Sequence, residues 1–168
     1  MNKTFKLLSQ LSAEFSNSAI VAAGGANTIA AGVPANCVDA AAASWTGAVA
    51  VGADGNGTTT QRFAGIAKST STDTASTAGS VDLWMPLPGI IYTGFAKTSS
   101  TADTQAEINA LFSKRVVFDL TSSNWTVDAA ATDAVANCVV ITGGNPATAT
   151  LNFAYRACGT YLNFAISA

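Results

Sequence analysis

The stretch CVVITGGNPATATLNFAY, residues 138–155, decides the fold class. Its large side chains stand at odd positions from Val139 to Tyr155 and alternate with small or polar residues. This period of two is typical of half-buried β-strands, and the Gly-Gly-Asn-Pro run between the two apolar segments predicts a turn. With the turn centred near residue 145, Val139 faces Leu151, and the large side chains share one buried face.

The same alternation recurs in short segments between Trp45 and Ile166, separated by turn sequences. The run Asp-Gly-Asn-Gly at residues 54–57 predicts a hairpin that joins a strand over 45–51 to a strand over 63–67. Many short strands with few helices predict a mainly β chain, folded as a small β-barrel or sandwich. Further strands are predicted over 81–85, 90–96, 116–120, 125–127 and 161–166, with an exposed loop over 68–80.

One helix is predicted, over residues 105–113. Thr104 and Glu107 have the spacing of a capping box, in which the two side chains satisfy backbone N–H groups at the helix N-terminus. Apolar residues from Ile108 to Phe112 then form a single stripe. The sequence therefore predicts one short helix among the strands.

Residues 1–44 are predicted to form an extended N-terminal arm and lead-in segment, ahead of a β-barrel domain over residues 45–168. A few apolar residues near the start have helix-like spacing, which the glycine pair Gly24-Gly25 interrupts. Such a segment cannot build a core of its own, so it must lie on its own domain or on a neighbouring chain. We expect it to contact a partner subunit through Phe5, Leu8, Leu11 and Phe15.

The composition is unusual, because Ala, Thr, Ser and Gly make up half of the 168 residues. Charged residues are only 11% of the chain, against about 25% in typical soluble domains. The apolar share of 49% and the net charge of −2 are unlike those of disordered chains. Basic residues are spread from Lys3 to Arg156 rather than clustered, so we expect no direct binding of nucleic acid.

The cysteines, Cys37, Cys138 and Cys158, are odd in number and widely spaced. This pattern indicates no disulfide framework, and we expect three buried thiols. Polar residues interrupt the apolar run near the N-terminus, and no apolar stretch is long enough for a transmembrane helix. We therefore expect synthesis in a host cytoplasm and no membrane partner.

Catalytic chemistry finds little support in the sequence. Histidine is absent, which removes histidine-dependent triads and the imidazole ligands of zinc sites. Asp119, Asp128 and Asp133 lie close together in sequence, as paired catalytic carboxylates can. Their positions on a strand exterior and in a small-residue loop favour solvated carboxylates instead. We predict no enzymatic activity, no cofactor and no metal.

Three segments carry a resemblance to a known family: RFAGIAK at 62–68, AGSVDLW at 78–84 and PLPGIIY at 86–92. The order Gly-Ile-Ala, polar loop, Ala-Gly-x-Val, then a second Gly-Ile resembles that of phage capsid decoration (head cement) proteins. The resemblance covers a small part of the chain, and the Pro-Leu-Pro-Gly turn departs from the family pattern. It implies a small β-barrel of the β-tulip or SH3-like type, often a homotrimer, that binds outside the major capsid protein and has no catalytic residues.

We therefore predict a virion structural protein on the capsid exterior, with the major capsid protein as its partner. The low charge and the small residues suit such a role independently of the resemblance. They suit equally another assembly subunit, such as a tail-tube, fibre or minor coat protein. A surface carbohydrate-binding or adhesin module is the remaining alternative, and its aromatic platform would come from Trp84, Tyr92 and Trp125.

Overall fold

A computed structural model describes residues 4–9, 16–21, 28–40, 44–55, 63–74, 76–87 and 89–156, without the side chains of 6–9, 16–21, 39–40 and 44–47. The described chain is mainly β, with two curled sheets and one short α-helix. The strands are β1 (Lys6–Ser9), β2 (Ser16–Val21), β3 (Pro34–Ala40), β4 (Ser44–Val51), β5 (Phe63–Ala67), β6 (Gly79–Trp84), β7 (Ile91–Phe95), β8 (Arg115–Thr121), β9 (Asn124–Asp128), β10 (Val139–Asn145) and β11 (Thr150–Tyr155). Helix α1 is Gln105–Leu111, and 3₁₀ turns lie at Ser99–Thr101 and Pro146–Thr148.

The first sheet closes into a five-stranded barrel in the order β2-β4-β3-β5-β6. Strand β2 completes the ring because it pairs in parallel with β4 and antiparallel with β6. Every residue of β5 is buried. Within it, Gly65 has a φ of 148°, and a Cβ there would overlap the carbonyl oxygen of Trp84. This position therefore requires glycine.

The second sheet has the order β1-β7-β11-β10-β8-β9. It curls until β9 returns to the end of β7, where an isolated parallel bridge joins Ala96 to Val127. Beside the bridge, the Lys97 N–H donates to the Val127 carbonyl at 2.9 Å. Strands β7, β11, β10, β8 and β9 therefore also form a ring, and β1 pairs with β7.

Helix α1 begins as predicted and ends differently. The Glu107 N–H donates to Thr104 Oγ1, and the Thr104 N–H donates to the Glu107 carboxylate, which confirms the capping box. Ile108 is buried, but Phe112 is 63% exposed. The stripe ends early because Phe112 already has the extended backbone of the C-cap, with φ −57° and ψ 131°, which turns it off the apolar face.

Aromatic rings join the two sheets in one core. Phe5 packs against Phe118 and Phe153 at ring-centroid distances of 4.6 and 5.1 Å. Phe63 of the first barrel stacks on Tyr155 at 4.2 Å and also contacts Phe118 at 5.8 Å. We call these five rings the aromatic cluster. Because Phe63 comes from the first sheet and its neighbours come from the second, the cluster ties the sheets together.

The prediction of a hairpin around residues 54–57 is wrong, because β4 and β5 do not pair with each other. Asp54 and Gly55 do form a turn, but β3 lies between β4 and β5 and pairs with both. The turn residues reverse the chain locally, whereas the partner of the next strand is chosen by closure of the barrel.

The hairpin within residues 138–155 is confirmed, with a different register. Val139 faces Tyr155 rather than Leu151, because the 3₁₀ turn Pro146–Thr148 lengthens the connection. The shift is by an even number of residues, so the same side chains stay on the buried face. Both Val139 and Leu151 are fully buried.

The predicted boundary at residue 44 does not divide the structure. Strands β2 and β3 lie before it and belong to the first barrel, and Phe5 and Ile29 are buried in the core. The described part of this segment is integrated into the fold rather than extended as an arm, because its strands complete the rings. The predicted strand over 161–166 lies outside the described residues.

Candidate functional site

A polar cleft of about 330 Å³ lies at the end of β7, lined by Lys97, Thr98, Asp119, Thr121, Asn124 and Thr126. Lys97 Nζ lies 2.7 Å from Asp119 Oδ1 and 3.2 Å from Asp128 Oδ2. One ammonium group therefore bridges two carboxylates, and we call this group the Lys97 ion-pair cluster.

The β8–β9 hairpin supplies both carboxylates. Asp119 lies directly across from Thr126, and Asp128 is the last residue of β9. A two-residue turn joins the strands, in which Ser122 and Ser123 have φ of 50° and 63°. Positive φ at both turn positions matches the twist of paired strands, so this turn sets the register that places the two carboxylates together.

Burial and ion pairing act on Asp119 in opposite directions. Desolvation raises its pKa, but hydrogen bonds from Lys97 and Thr121 outweigh that effect and hold the pKa below its ordinary value. The pKa of Lys97 is raised by its hydrogen bonds to Asp119 and Asp128. Lys97 and Asp119 therefore both stay charged at neutral pH.

In the Lys97 ion-pair cluster, one ammonium group contacts two carboxylates. A carboxylate pair that catalyses hydrolysis keeps one acid protonated, whereas Lys97 lowers the pKa of Asp119 and contacts Asp128 as well. Among the described residues, no group of three or more His, Cys, Asp and Glu side chains is placed to hold a metal ion. The cluster links the end of β7 to the β8–β9 hairpin, where the second ring closes through a single bridge.

The interpretation of the three aspartates as solvated carboxylates is wrong for Asp119, which is 7% exposed. Asp128 is half-buried in the same cluster, and Asp133 is exposed and pairs with Arg115 at 2.6 Å. The alternation along β8 correctly placed Asp119 away from the aromatic core. The alternation gave no indication of the contact between Asp119 and Lys97, because Lys97 follows a different strand, β7.

The predicted aromatic platform does not form at the surface. Tyr92 and Trp125 are 0% and 3% exposed. The Tyr92 hydroxyl donates to the carbonyls of Trp84 and Met85 at 3.0 and 2.9 Å, and burial raises the Tyr92 pKa. The carbohydrate-binding alternative therefore loses the stacking surface on which it depended.

Of the four predicted partner contacts, the structure describes the side chain of Phe5 alone. Phe5 is 1% exposed in its own core, so it can touch a partner only by leaving the aromatic cluster. Leu8 lies in β1, whose side chains are not described, and Leu11 and Phe15 lie outside the described residues. Sequence reasoning missed the burial of Phe5 because its ring neighbours lie far along the chain.

The large apolar side chains most exposed in the described part of the chain are Phe95, Phe112 and Val135, at 37%, 63% and 70%. Phe112 and Val135 are each close in sequence to one partner of the Arg115–Asp133 ion pair. Phe112 lies just before Arg115 in the chain, and the loop of Val135 is held to Arg115 by the ion pair with Asp133. In the same loop, Asn137 Nδ2 donates to the Arg115 carbonyl at 3.3 Å. We call Phe112 and Val135 the apolar surface pair.

The prediction of three thiols is wrong for Cys138, which is disulfide-bonded and fully buried. Cys37 keeps its thiol and is also buried. Cys158 lies outside the described residues. The odd count misled the prediction because three cysteines are equally compatible with one disulfide and one thiol.

No protein-family model, no curated protein and no solved structure matches this chain. In the part of the chain that the structure describes, no helix has both the length and the apolar character needed to cross a membrane. The role of the protein must therefore be inferred from its composition, fold and surface.

Proposed function

We propose that this protein is a virion structural protein that binds the outside of a phage capsid and stabilises the shell, with the major capsid protein as its partner. The observation that carries the proposal is the apolar surface pair, Phe112 and Val135, exposed on a chain with 11% charged residues. Exposed large apolar side chains are stabilised when a partner covers them. A capsid surface is such a partner.

The fold supports this proposal without specifying it. Of the three segments that resemble decoration proteins, 62–68 contains β5, 78–84 contains β6, and 86–92 leads into β7. Two of the three segments therefore lie on strands of a small β-barrel, and the third follows it in the chain. A small β-barrel is the architecture that the resemblance implied. The proposed homotrimer, the synthesis in a host cytoplasm and the partner contacts at Leu8, Leu11 and Phe15 rest on the sequence and the resemblance.

Apolar burial is the proposed source of binding energy. Lys97 and Arg115 are engaged by carboxylates of their own chain, which leaves less charge for steering a partner. A standard interface gains about 25 cal/mol per Å² of apolar area, and much of this gain is lost to immobilisation. Many copies on one lattice then act together, and multivalency makes the coat long-lived.

The test compares capsid shells with and without the protein, at low and high salt. We expect the protein to raise the melting temperature of the shells, with little dependence on salt. The double variant Phe112→Ser/Val135→Ser should lose most of this effect. The control Gln105→Ser changes an exposed polar residue of α1 and should keep it. Both variants are first melted alone to show that they fold.

Equal melting temperatures for coated and bare shells would contradict the cement function. Release by salt would place the binding energy in charges rather than in apolar contacts. Rings of stacked subunits along a tube, seen by electron microscopy, would instead support the tail-tube alternative.

A further inference from the structure

The two rings have the same topology. In each ring, the first strand pairs in parallel with the third strand and antiparallel with the fifth strand. The second strand lies between the third and the fourth strands. The fourth strand pairs with the fifth strand. Strands β2, β3, β4, β5 and β6 follow this scheme in the first ring. Strands β7, β8, β9, β10 and β11 follow it in the second.

A sequence motif falls at the same place in both rings. Asp-x₅-Trp-Thr runs from Asp39 to Thr46 and again from Asp119 to Thr126, at a constant offset of 80 residues. Both copies span the hairpin between the second and third strands. The turns differ by one residue, since Ala40 faces Ser44 in the first copy.

The fourth strands share a backbone irregularity. Gly65 in β5 and Gly143 in β10 have φ of 148° and 153°. Each lies beside a register shift, in which the residue just before the glycine is the unpaired one. The shift at Gly65 is in the ladder to the second strand, β3, whereas the shift at Gly143 is in the ladder to the fifth strand, β11. Two residues before each glycine stands a fully buried side chain, Phe63 or Ile141. The fourth strand of each ring therefore has a bulge followed by a glycine at positive φ, which glycine adopts without a Cβ penalty.

The fifth strands also correspond. Val81 and Leu83 of β6 are 1% and 3% exposed, and Leu151 and Phe153 of β11 are 0% exposed. Across the ladder to the first strand, Val81 faces Ala19, and Leu151 faces Gly94. In both rings, a large residue of the fifth strand therefore faces a small residue of the first strand in the backbone register.

We infer that the chain is a tandem duplication of one five-stranded barrel unit, with copies over residues 16–84 and 91–155. Five strands can be ordered around a ring in many ways, and their directions can also vary. The same order, the same single parallel pair, a bulge glycine in each fourth strand and the repeated motif all follow from duplication. Convergence would have to produce each of them separately.

The duplication separates shared features from added ones. Asp39 corresponds to Asp119 in the repeated motif, but at the same offset Ala48 stands where the second unit has Asp128. The Lys97 ion-pair cluster therefore belongs to the second unit alone. That unit closes through a single bridge, whereas the first closes through a two-residue parallel ladder. The ion pairs thus strengthen the weaker closure.

Helix α1 lies between the first and second strands of the second unit, in the connection 96–114, which is longer than the corresponding connection 22–33 of the first unit. Phe112 of the apolar surface pair ends this helix. If the proposed function holds, the second unit is the one specialised for the partner. The duplication itself does not depend on that function.

The test is an experimental structure of the full chain at a resolution that shows the strands. The Cα atoms of β2–β6 are superposed on those of β7–β11, strand by strand in chain order. We expect a root-mean-square difference below half the spacing of neighbouring strands, ~2.4 Å. A control superposition, with the second unit rotated by one strand around its ring, should exceed that value.

A larger difference for the chain-order superposition, or rings of opposite hand, would overturn the inference. The outcome is independent of capsid binding. Shell experiments can fail while the units superpose, and the units can fail to superpose while the shells are stabilised.

Discussion

At the scale of single residues, Asp119 combines burial with charge, because it is 7% exposed and lies 2.7 Å from the Lys97 ammonium. We predict that Asp119→Asn lowers the Tm at pH 7. The neutral amide loses the attraction to Lys97 and weakens the hydrogen bond from Thr121. The loss should be about 2–4 °C, the shift that ~1 kcal/mol causes in a chain of this size.

The pH dependence of this loss follows from the pKa. The Asp119 pKa is lower in the folded chain than its ordinary value, so the ionised group stabilises the fold above about pH 4. That contribution is lost as the pH falls through the folded-state pKa, and the Tm difference should shrink. Calorimetry from pH 7 downwards measures it, with Gln105→Ser, which changes an exposed residue and removes no carboxylate, as control. A difference that stays constant in acid would contradict the ion-pair account.

Phe5 provides a second test at this scale, because the sequence predicted a partner contact and the structure buries the ring. We predict that Phe5→Ala lowers the free energy of unfolding of the isolated chain by about 3–5 kcal/mol. Gly94→Ala should cost about 1–3 kcal/mol, since a Cβ there would overlap the Phe5 ring. Urea denaturation measures both effects.

The double variant Phe5→Ala/Gly94→Ala tests whether the two single effects arise from the same contact. Removing the Phe5 ring leaves room for the extra methyl at position 94, so the combined cost should be less than the sum of the single costs. Unchanged stability for Phe5→Ala would show that Phe5 lies outside the core, as an arm residue would.

At the scale of elements, the start of α1 depends on its capping box. We predict that Thr104→Ala lowers the free energy of unfolding by about 1 kcal/mol, because the Glu107 N–H loses its acceptor. The pKa of Glu107 is lowered by hydrogen bonds with Thr104 and Asp103, so the box stays intact at neutral pH. Gln105→Ala, exposed on the same turn, is the matched control and should change stability by no more than about 0.5 kcal/mol. Equal effects would contradict the cap.

At the scale of the whole molecule, the aromatic cluster should make the two units unfold together. Phe63 of the first unit stacks on Tyr155 of the second at 4.2 Å. We predict one transition by circular dichroism and tryptophan fluorescence, and Phe63→Ala should lower its midpoint while keeping the two probes coincident. The loss should be about 3–5 kcal/mol. Two separated transitions in the unaltered chain would show that each unit folds independently.

Most strands after residue 44, the helix start and the buried faces could be predicted from the sequence, because they depend on local periodicity and capping. Strands β1, β2 and β3, which lie within the predicted arm, were not predicted. Val139 and Leu151 are buried as their alternation requires, although their register differs. Only the tertiary structure placed β3 between β4 and β5, since the order of strands depends on closure of the ring.

For the functional candidates, the sequence by itself placed Asp119 on the strand face opposite the aromatic core, but it did not identify the partners of any candidate. The contact of Lys97 with Asp119 and the burial of Phe5 join distant parts of the chain, and the exposure of Phe112 depends on where the helix ends. The periodicity of a strand or helix determines which of its own faces is buried. Which other element covers that face is decided when the rings close and the core packs, and this is a property of the whole chain.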